Sequence, residues 1–205
     1  MVLKINNENP QGSKIQKVID ILNNGGIMIY PTDSVYALGC LASNKEGLKR
    51  IQRIKGTQRN QHFMTIMSPD ISVLSKLTMP IPNDVFKLMK RNVPGPYTFI
   101  LRANSKVPKI VQSRRKTIGF RIPQNAIARD IIAGLDDYLA STSLKIETDE
   151  GPEVYYSDPE EIEERFGKLV DVIVDGGILE TNVSSVIDCT DDTPEIIREG
   201  VAPVI

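Results

Sequence analysis

Three small hydrogen-bonding side chains, Thr32, Asp33 and Ser34, stand together between two apolar runs. The run 27–30 (Ile-Met-Ile-Tyr) has the composition of a buried strand, and Pro31 ends it because proline has no N–H for the next ladder bond. In an open α/β sheet, ligands usually bind at such a strand end. The sequence 31–34 (Pro-Thr-Asp-Ser) is also typical of a turn, so an ordinary turn between two strands remains the simpler alternative.

Lysine and arginine side chains are the second group that could do chemistry, and they are concentrated in two stretches. The candidates for RNA contacts in these stretches are Arg50, Arg53, Arg59, Arg114, Arg115 and Lys116. The net charge of −1 shows that the chain is not basic as a whole, but a near-neutral chain can still present one basic face to phosphates. An ordinary solvated helix face explains the first stretch equally well.

The length and composition predict one globular domain, residues 1–205. A chain of 205 residues with 40% hydrophobic and 25% charged residues is long enough to bury a core and is neither disordered nor repetitive. Residues 1–11 are polar and lack the apolar centre of a signal peptide, so we expect a cytoplasmic protein without a membrane segment. Cys40 and Cys189 lie in or beside apolar runs, which favours buried thiols over a metal cluster.

Helical and strand patterns alternate along the chain, which predicts an α/β protein. Ser13 is the expected N-cap of the first helix, and Ser43 with Glu46 has capping-box spacing for the second. In the strand 117–122, Ile118 and Phe120 alternate with Gly119 and Arg121, a half-buried pattern. The predicted helices are 13–24, 43–54, 82–91, 125–133 and 157–166, and the predicted strands are 27–30, 35–40, 97–101, 117–122, 170–174, 183–189 and 195–198.

Residues 31–39 (Pro-Thr-Asp-Ser-Val-Tyr-Ala-Leu-Gly) resemble the signature Pro-Thr-(Asp/Glu)-(Ser/Thr)-x-Tyr-(Gly/Ala)-Leu-Gly of the YrdC family, the threonylcarbamoyl-adenylate synthases. The further stretches that agree in order are 94–99, 121–123, 141–143, 184–188 and 198–200. The resemblance covers about residues 15–200 and is closest to the YciO branch. It implies an α/β (α+β) fold with a twisted mixed β-sheet, flanking helices and a basic concave surface.

The reaction implied by the resemblance joins L-threonine, bicarbonate and ATP into threonylcarbamoyl-adenylate, from which tRNA is later modified. Thr32 and Arg121 would hold threonine, because a planar guanidinium suits a carboxylate. The residues that would hold the nucleotide are Lys55, Thr98, Ser141, Ser143, Ser185 and Arg198. Lys55 and Ser143 would be the catalytic positions. ATP would enter as a substrate with Mg²⁺ on its phosphates, and no tightly bound cofactor or protein metal site is expected.

Two positions depart from the synthase pattern. Thr57 stands where the family has the arginine of a Lys-x-Arg pair, and Lys145 stands where it has the asparagine of Ser-x-Asn. Losing one preorganised donor typically lowers the rate by about 10²–10³-fold. One hypothesis restores the charge: if the two loops face each other, the ammonium of Lys145 takes the place of the missing arginine.

These departures leave three interpretations open. We favour a protein that binds nucleotide (ATP or AMP) and double-stranded RNA or tRNA, in the context of tRNA modification and translation. The alternative is an active synthase that uses L-threonine, bicarbonate and ATP. A third interpretation is a partner-dependent assembly factor that has kept the pocket without the reaction.

Overall fold

The computed structural model describes residues 1–56, 64–146 and 154–205. The strands are β1 Val2–Lys4, β2 Met28–Tyr30, β3 Ala37–Leu41, β4 Thr65–Met67, β5 Tyr97–Arg102, β6 Thr117–Arg121, β7 Leu139–Ser143, β8 Lys145–Ile146, β9 Val154–Tyr155, β10 Val172–Asp175, β11 Ser185–Asp188 and β12 Glu195–Arg198. The helices are α1 Gly12–Asn23, α2 Lys45–Lys55, α3 Leu74–Leu77, α4 Asn83–Asn92, α5 Ala126–Ala133 and α6 Pro159–Phe166, with a 3₁₀ turn at Ile71–Val73.

Ten of these strands form one mixed sheet in the order β1-β10-β2-β3-β7-β4-β6-β5-β11-β12, and β8 and β9 form a separate ribbon. The pairs β1–β10, β10–β2, β4–β6 and β5–β11 are parallel, and the other neighbours are antiparallel. The predicted class, a mixed α/β sheet with flanking helices, is confirmed.

Helices cover the two faces of the sheet unequally. On one face, α2 packs through Leu48 and Ile51 and α4 packs through Val85 and Met89. On the other face, α1 and α5 pack against the half of the sheet that contains β10, β2 and β3. Among the described residues, no helix covers the half formed by β4, β6, β5 and β11 on the α1 and α5 side. Side chains alternate along a strand, so every second residue of these four strands faces that uncovered side.

The caps of the helices explain where several predicted boundaries were wrong. Asn44, not Ser43, caps α2: its Oδ1 accepts from Gly47 N at 2.9 Å, and its amide donates to Gly25 O at 2.8 Å, which ties α2 to the chain after α1. Gln11, not Ser13, occupies the N-cap of α1, without a side-chain bond, and the helix begins at Gly12. Asn125 caps α5 as predicted, by accepting from Ala128 N at 3.0 Å.

The β6 strand is more buried than its alternating pattern predicted. All five of its residues are buried, including Gly119 and Arg121, although the alternating pattern predicted a half-buried strand. The difference arises because β6 is an inner strand between β4 and β5, and its second face forms the floor of a cavity. The two thiols are free and buried, as predicted. Within the three described ranges, no helix combines the length and apolar character that a membrane span requires.

Candidate functional site

A cavity of about 270 Å³ opens on the uncovered half of the sheet. Its floor comes from alternate residues of four strands, including Thr65, Thr98, Gly119 and Val186. A Cβ atom at Gly119 would lie 2.7 Å from Thr65 Oγ1, so glycine is needed for β4 and β6 to pack at this distance. The cationic side chains that line the cavity are Lys55, Arg121, Lys145 and Arg198.

The turn after β2 is built by a directed chain of hydrogen bonds. Arg121 Nη1 donates to Ser34 Oγ at 3.0 Å, Ser34 Oγ lies 3.0 Å from Thr32 Oγ1, and Thr32 Oγ1 donates to Val35 O at 2.7 Å. A guanidinium only donates and a carbonyl only accepts, so the Ser34 hydroxyl must donate to Thr32. Thr32 also accepts from Ser34 N at 3.1 Å. The Thr32 proton is therefore used within the turn, and Ser34 is the hydroxyl that contacts Arg121.

Asp33 and Arg121 form a desolvated ion pair at one end of the cavity. Arg121 Nη2 lies 2.5 Å from Asp33 Oδ1, and the two side chains are only 8% and 12% exposed. Arg121 Nε and Asp33 Oδ2 are buried and have no hydrogen-bond partner among the described residues. A ligand carboxylate that reaches Arg121 must share it with Asp33. The sequence marked Asp33 and Ser34 as polar side chains at a strand end, but no local signal connected them to Arg121, on a strand far along the chain.

A buried tyrosine holds one of the serines that line the cavity. Tyr30 Oη donates to Ser141 Oγ at 2.7 Å, and Ser141 Oγ donates to Leu38 O at 3.2 Å. Burial raises the pKa of Tyr30 above its ordinary value, so the phenol stays a proton donor at neutral pH. Ser141, for which the family resemblance predicts a nucleotide contact, lines the cavity, but its proton is directed to the backbone of β3.

Lys55, Ser143 and Lys145 line one part of the chain's cavity, near the end of β7. Lys55, at the end of α2, is 8% exposed, and its Nζ donates to Ser143 O at 3.1 Å. Lys145 lines the same cavity as Lys55 and Ser143. This placement is what the replacement hypothesis for Lys145 requires. Thr57, the other departure from the family pattern, lies outside the described residues.

The opposite wall of the cavity is formed by Arg198, Ser184 and Thr98. Arg198 Nε donates to Ser184 O at 3.0 Å, and its Nη2 donates to Ser184 Oγ at 3.2 Å. Thr98 Oγ1 lies 3.2 Å from Ser184 Oγ. Ser185, predicted as a nucleotide contact, does not line the cavity; it is 1% exposed and its hydroxyl bonds to the chain around residues 200–202. Successive strand residues face opposite ways, which is why Ser184 rather than Ser185 faces the cavity.

Of the candidate RNA-contacting residues, the five that the structure describes do not line this cavity. Arg50 forms an ion pair with Asp171 at 2.8 Å and donates to Leu169 O at 3.2 Å, so it ties α2 to the chain before β10. Arg53 is exposed on the surface of α2. Arg114, Arg115 and Lys116 are exposed on the turn before β6. Arg59 lies outside the described residues.

Comparisons of sequence and of structure match this chain to the same group of proteins. The Sua5_yciO_yrdC family model, described as telomere recombination, matches residues 20–200. The chain is 45% identical over 201 residues to the uncharacterized protein YciO of Escherichia coli K12, and the match covers 98% of this chain and 95% of that protein.

Two archaeal matches are more distant. The chain is 29% identical over 192 residues to the threonylcarbamoyl-AMP synthase of Pyrococcus abyssi, which covers 93% of this chain but 55% of the synthase. The crystal structure of P. abyssi Sua5 complexed with L-threonine matches with a TM-score of 0.86 and 27% identity, over 98% of this chain and 57% of that one.

Proposed function

Because the chain belongs to the Sua5/YciO/YrdC family, we propose that its cavity binds a nucleotide together with a small amino acid of the L-threonine class. One observation carries this proposal: a single cavity holds a charge-balanced arginine, Arg121, at one end and three further cationic side chains, Lys55, Lys145 and Arg198, around the rest. The relative that was solved in complex with L-threonine supports an amino acid as the smaller ligand.

The two ligands are assigned by charge. A triphosphate carries several negative charges, and it is best placed against Lys55, Lys145 and Arg198. The amino acid carboxylate is best placed against Arg121, whose planar fork can donate to two oxygens. Mg²⁺ would be carried on the phosphates, because the described residues contain no cluster of three ligating His, Cys, Asp or Glu side chains.

The alternative function is the full synthase reaction, and the presence of Lys145 in the same cavity as Lys55 and Ser143 favours it. In that reaction the amine of threonine takes up bicarbonate and loses water, which gives a carbamate. A carbamate oxygen then attacks the α-phosphorus of ATP, and pyrophosphate leaves. No protein nucleophile is needed, since such catalysis consists of positioning and electrostatic stabilisation. Lys145 would offset the charge that develops on the phosphates.

A pyrophosphate-release assay with calorimetry tests both forms of the proposal. The protein is mixed with ATP, Mg²⁺ and bicarbonate, with and without L-threonine, and products are identified by mass. Threonine-dependent release establishes the synthase, and Lys145→Ala should then lower the rate by about 10²-fold. Lys168→Ala is the matched control, because Lys168 is exposed and lies outside the cavity. ATP binding without release establishes the binding function alone, and absence of ATP binding overturns the proposal.

RNA binding is the second proposed function, and it rests on the loop between β5 and β6. Residues 104–116 contain five lysines and arginines and no acidic residue, and all five of these side chains are exposed: Lys106, Lys109, Arg114, Arg115 and Lys116. Val107 and Val111 anchor this loop in the same core cluster as α2, which carries the exposed Arg53. Such a surface would bind double-stranded RNA or tRNA through contacts with the phosphates and through recognition of the shape of the RNA helix.

Salt dependence tests this function. In the triple variant Arg114→Gln/Arg115→Gln/Lys116→Gln, RNA affinity should fall and the slope of log affinity against log salt should become less steep by about two to three. The control neutralises three exposed cations of α4, which packs against a different core cluster: Lys87→Gln/Lys90→Gln/Arg91→Gln. Equal losses in both variants would show that the binding is unspecific attraction to any cation, and would reject this surface.

A further inference from the structure

The segment 200–205, which we call the strap, runs back over the end of the sheet and is held by three side chains outside the cavity. Ser185 Oγ donates to Ala202 O at 2.9 Å, and Tyr97 Oη donates to Pro203 O at 2.9 Å. Asn92 bonds the Ile205 backbone twice, donating to its oxygen at 2.7 Å and accepting from its nitrogen at 3.0 Å. Ala202 and Val204 pack against the core cluster that contains β5 and α4.

The Ser185 hydroxyl is committed to the strap. It accepts from Gly200 N at 2.9 Å and donates to Ala202 O at 2.9 Å, which uses its single proton. Ser185 N donates to Pro96 O at 2.9 Å, so the residue joins the strap to the start of β5. A serine that is 1% exposed and bonded in this way serves the backbone rather than a ligand.

Gly200 brings the strap into direct contact with the wall of the cavity. A Cβ atom at this position would lie 2.3 Å from Ser184 C, 2.3 Å from Ser185 N and 2.4 Å from Val183 O. All three neighbours are backbone atoms, so no side-chain rotation could relieve the clash. Val201 N donates to Val183 O at 3.0 Å and continues the pairing beyond β12. Glycine is therefore required by close approach.

The wall needs this support because Arg198 lies at the end of an edge strand. The β12 strand has four residues and one neighbour, β11, and the pairing shifts register between Val186 and Ile187. Ile196 and Ile197 are about half exposed, so β12 buries little apolar area of its own. The ends of such strands open at low cost. Ser184, which holds the Arg198 guanidinium, lies directly under Gly200.

We propose that the strap positions Ser184 and Arg198 for the phosphates of the nucleotide, with Gly200 and Ser185 as positioning residues and Asn92 as a remote anchor. This inference rests on the proposed nucleotide site, since it assigns the strap a role in the affinity of that site. None of the three side chains that hold the strap lines the cavity. The amino acid end, at Arg121, has no bond to the strap among the described residues, and its affinity serves as an internal reference.

Calorimetry with ATP and with L-threonine on four variants tests the inference. Gly200→Ala should lower ATP affinity about tenfold, which is a typical effect of misplacing a charge-assisted hydrogen bond. Ser185→Ala, which adds no atom, and Asn92→Ala should lower it at least about threefold. L-threonine affinity should stay within about twofold of the wild type. Asn104→Ala is the matched control, because Asn104 also makes three backbone bonds, to Lys76, Thr78 and Lys106, and should leave both affinities unchanged.

The possible outcomes distinguish a failure of the inference about the strap from a failure of the proposed nucleotide site. Unchanged ATP affinity in Gly200→Ala and Ser185→Ala, or equal losses for ATP and L-threonine, overturns the inference. If the wild type binds no ATP, the proposed function fails, and amide hydrogen exchange decides the strap separately. Exchange in peptides that span 184–186 and 196–198 should then be faster in Asn92→Ala than in Asn104→Ala, and equal exchange overturns the positioning role.

Discussion

The two arginines of the cavity are held in opposite ways. Arg121 is buried and paired with the Asp33 carboxylate, and it also donates to Ser34. Arg198 is half-buried, and its bonds to Ser184 go to a neutral carbonyl and a neutral hydroxyl. The Asp33 carboxylate therefore neutralises the charge of Arg121, whereas the two neutral groups of Ser184 leave the positive charge of Arg198 uncompensated beside the cavity.

This difference separates two kinds of recognition within one cavity. A buried pair with no net charge favours a ligand that is itself neutral overall, such as an amino acid zwitterion, because a plain anion would leave one charge uncompensated in a poorly solvated place. An arginine held by neutral dipoles offers a full charge to phosphate oxygens. Under the proposed function, the Arg121 end would supply shape and orientation, and the Arg198 end would supply electrostatic attraction.

The largest expected effect concerns the stability of the Arg121 end. Arg121→Met leaves the Asp33 carboxylate buried without its partner, so the free energy of unfolding should fall by about 3–5 kcal/mol. Urea denaturation measures this change. Arg102→Met is the matched control: its ion pair with Asp191 is 61% and 79% exposed and should cost less than about 1 kcal/mol. The double variant Arg121→Met/Asp33→Leu should recover most of the loss, and failure to recover would show that packing rather than charge dominates.

The next effect concerns ligand affinity at the Arg198 end. Arg198→Met should lower ATP affinity about 10- to 100-fold, since it removes charge-assisted bonds to phosphate while little stability depends on this half-buried side chain. Calorimetry with ATP measures the loss, and Arg102→Met is again the control because Arg102 Nε donates to a backbone carbonyl, Thr190 O, at 2.6 Å. If Arg198→Met destabilises the fold as strongly as Arg121→Met, the contrast between the two ends is wrong.

The smallest expected effect is on the pH dependence of the free energy of unfolding. It can be measured for each half of the sheet, because each half contains one buried thiol. Burial raises the pKa of Cys40 in β3 and of Cys189 after β11 from 9.0 to about 12. An unfolded thiol loses its proton from about pH 9, so the contribution of each thiol is fully present below pH 9 and is lost as the pH rises to about 12. At pH 10 the loss is about 1.4 kcal/mol for each thiol.

The slope of the unfolding free energy against pH is measured between pH 8 and pH 10. This range lies below the pH at which tyrosines contribute most. Cys40→Ala and Cys189→Ala should each flatten the slope by a similar amount, whatever their effect on absolute stability. A slope that neither substitution changes would contradict burial of the thiols as its cause.

The sequence by itself determined the class of fold and pointed to one strand end as a candidate site. Alternating strand and helix patterns predicted an α/β protein, the family resemblance implied a mixed sheet, and the cluster Thr32, Asp33 and Ser34 marked a strand end that lies at the cavity. The ordered motifs predicted Lys55, Thr98, Ser143 and other cavity residues. These features are local, since propensity, caps and motif spacing act over a few neighbouring residues.

Only the tertiary structure decided which side chains face each other. Arg121 and Asp33 are 88 residues apart, and Arg50 and its partner Asp171 are 121 residues apart. Ser184 and Ser185 are equivalent in composition, but strand alternation sends the first to the cavity and the second to the strap. Pairings of this kind depend on strand order and register across the sheet, and a one-residue change of register would exchange the two faces. No pattern within a single stretch of sequence contains that information.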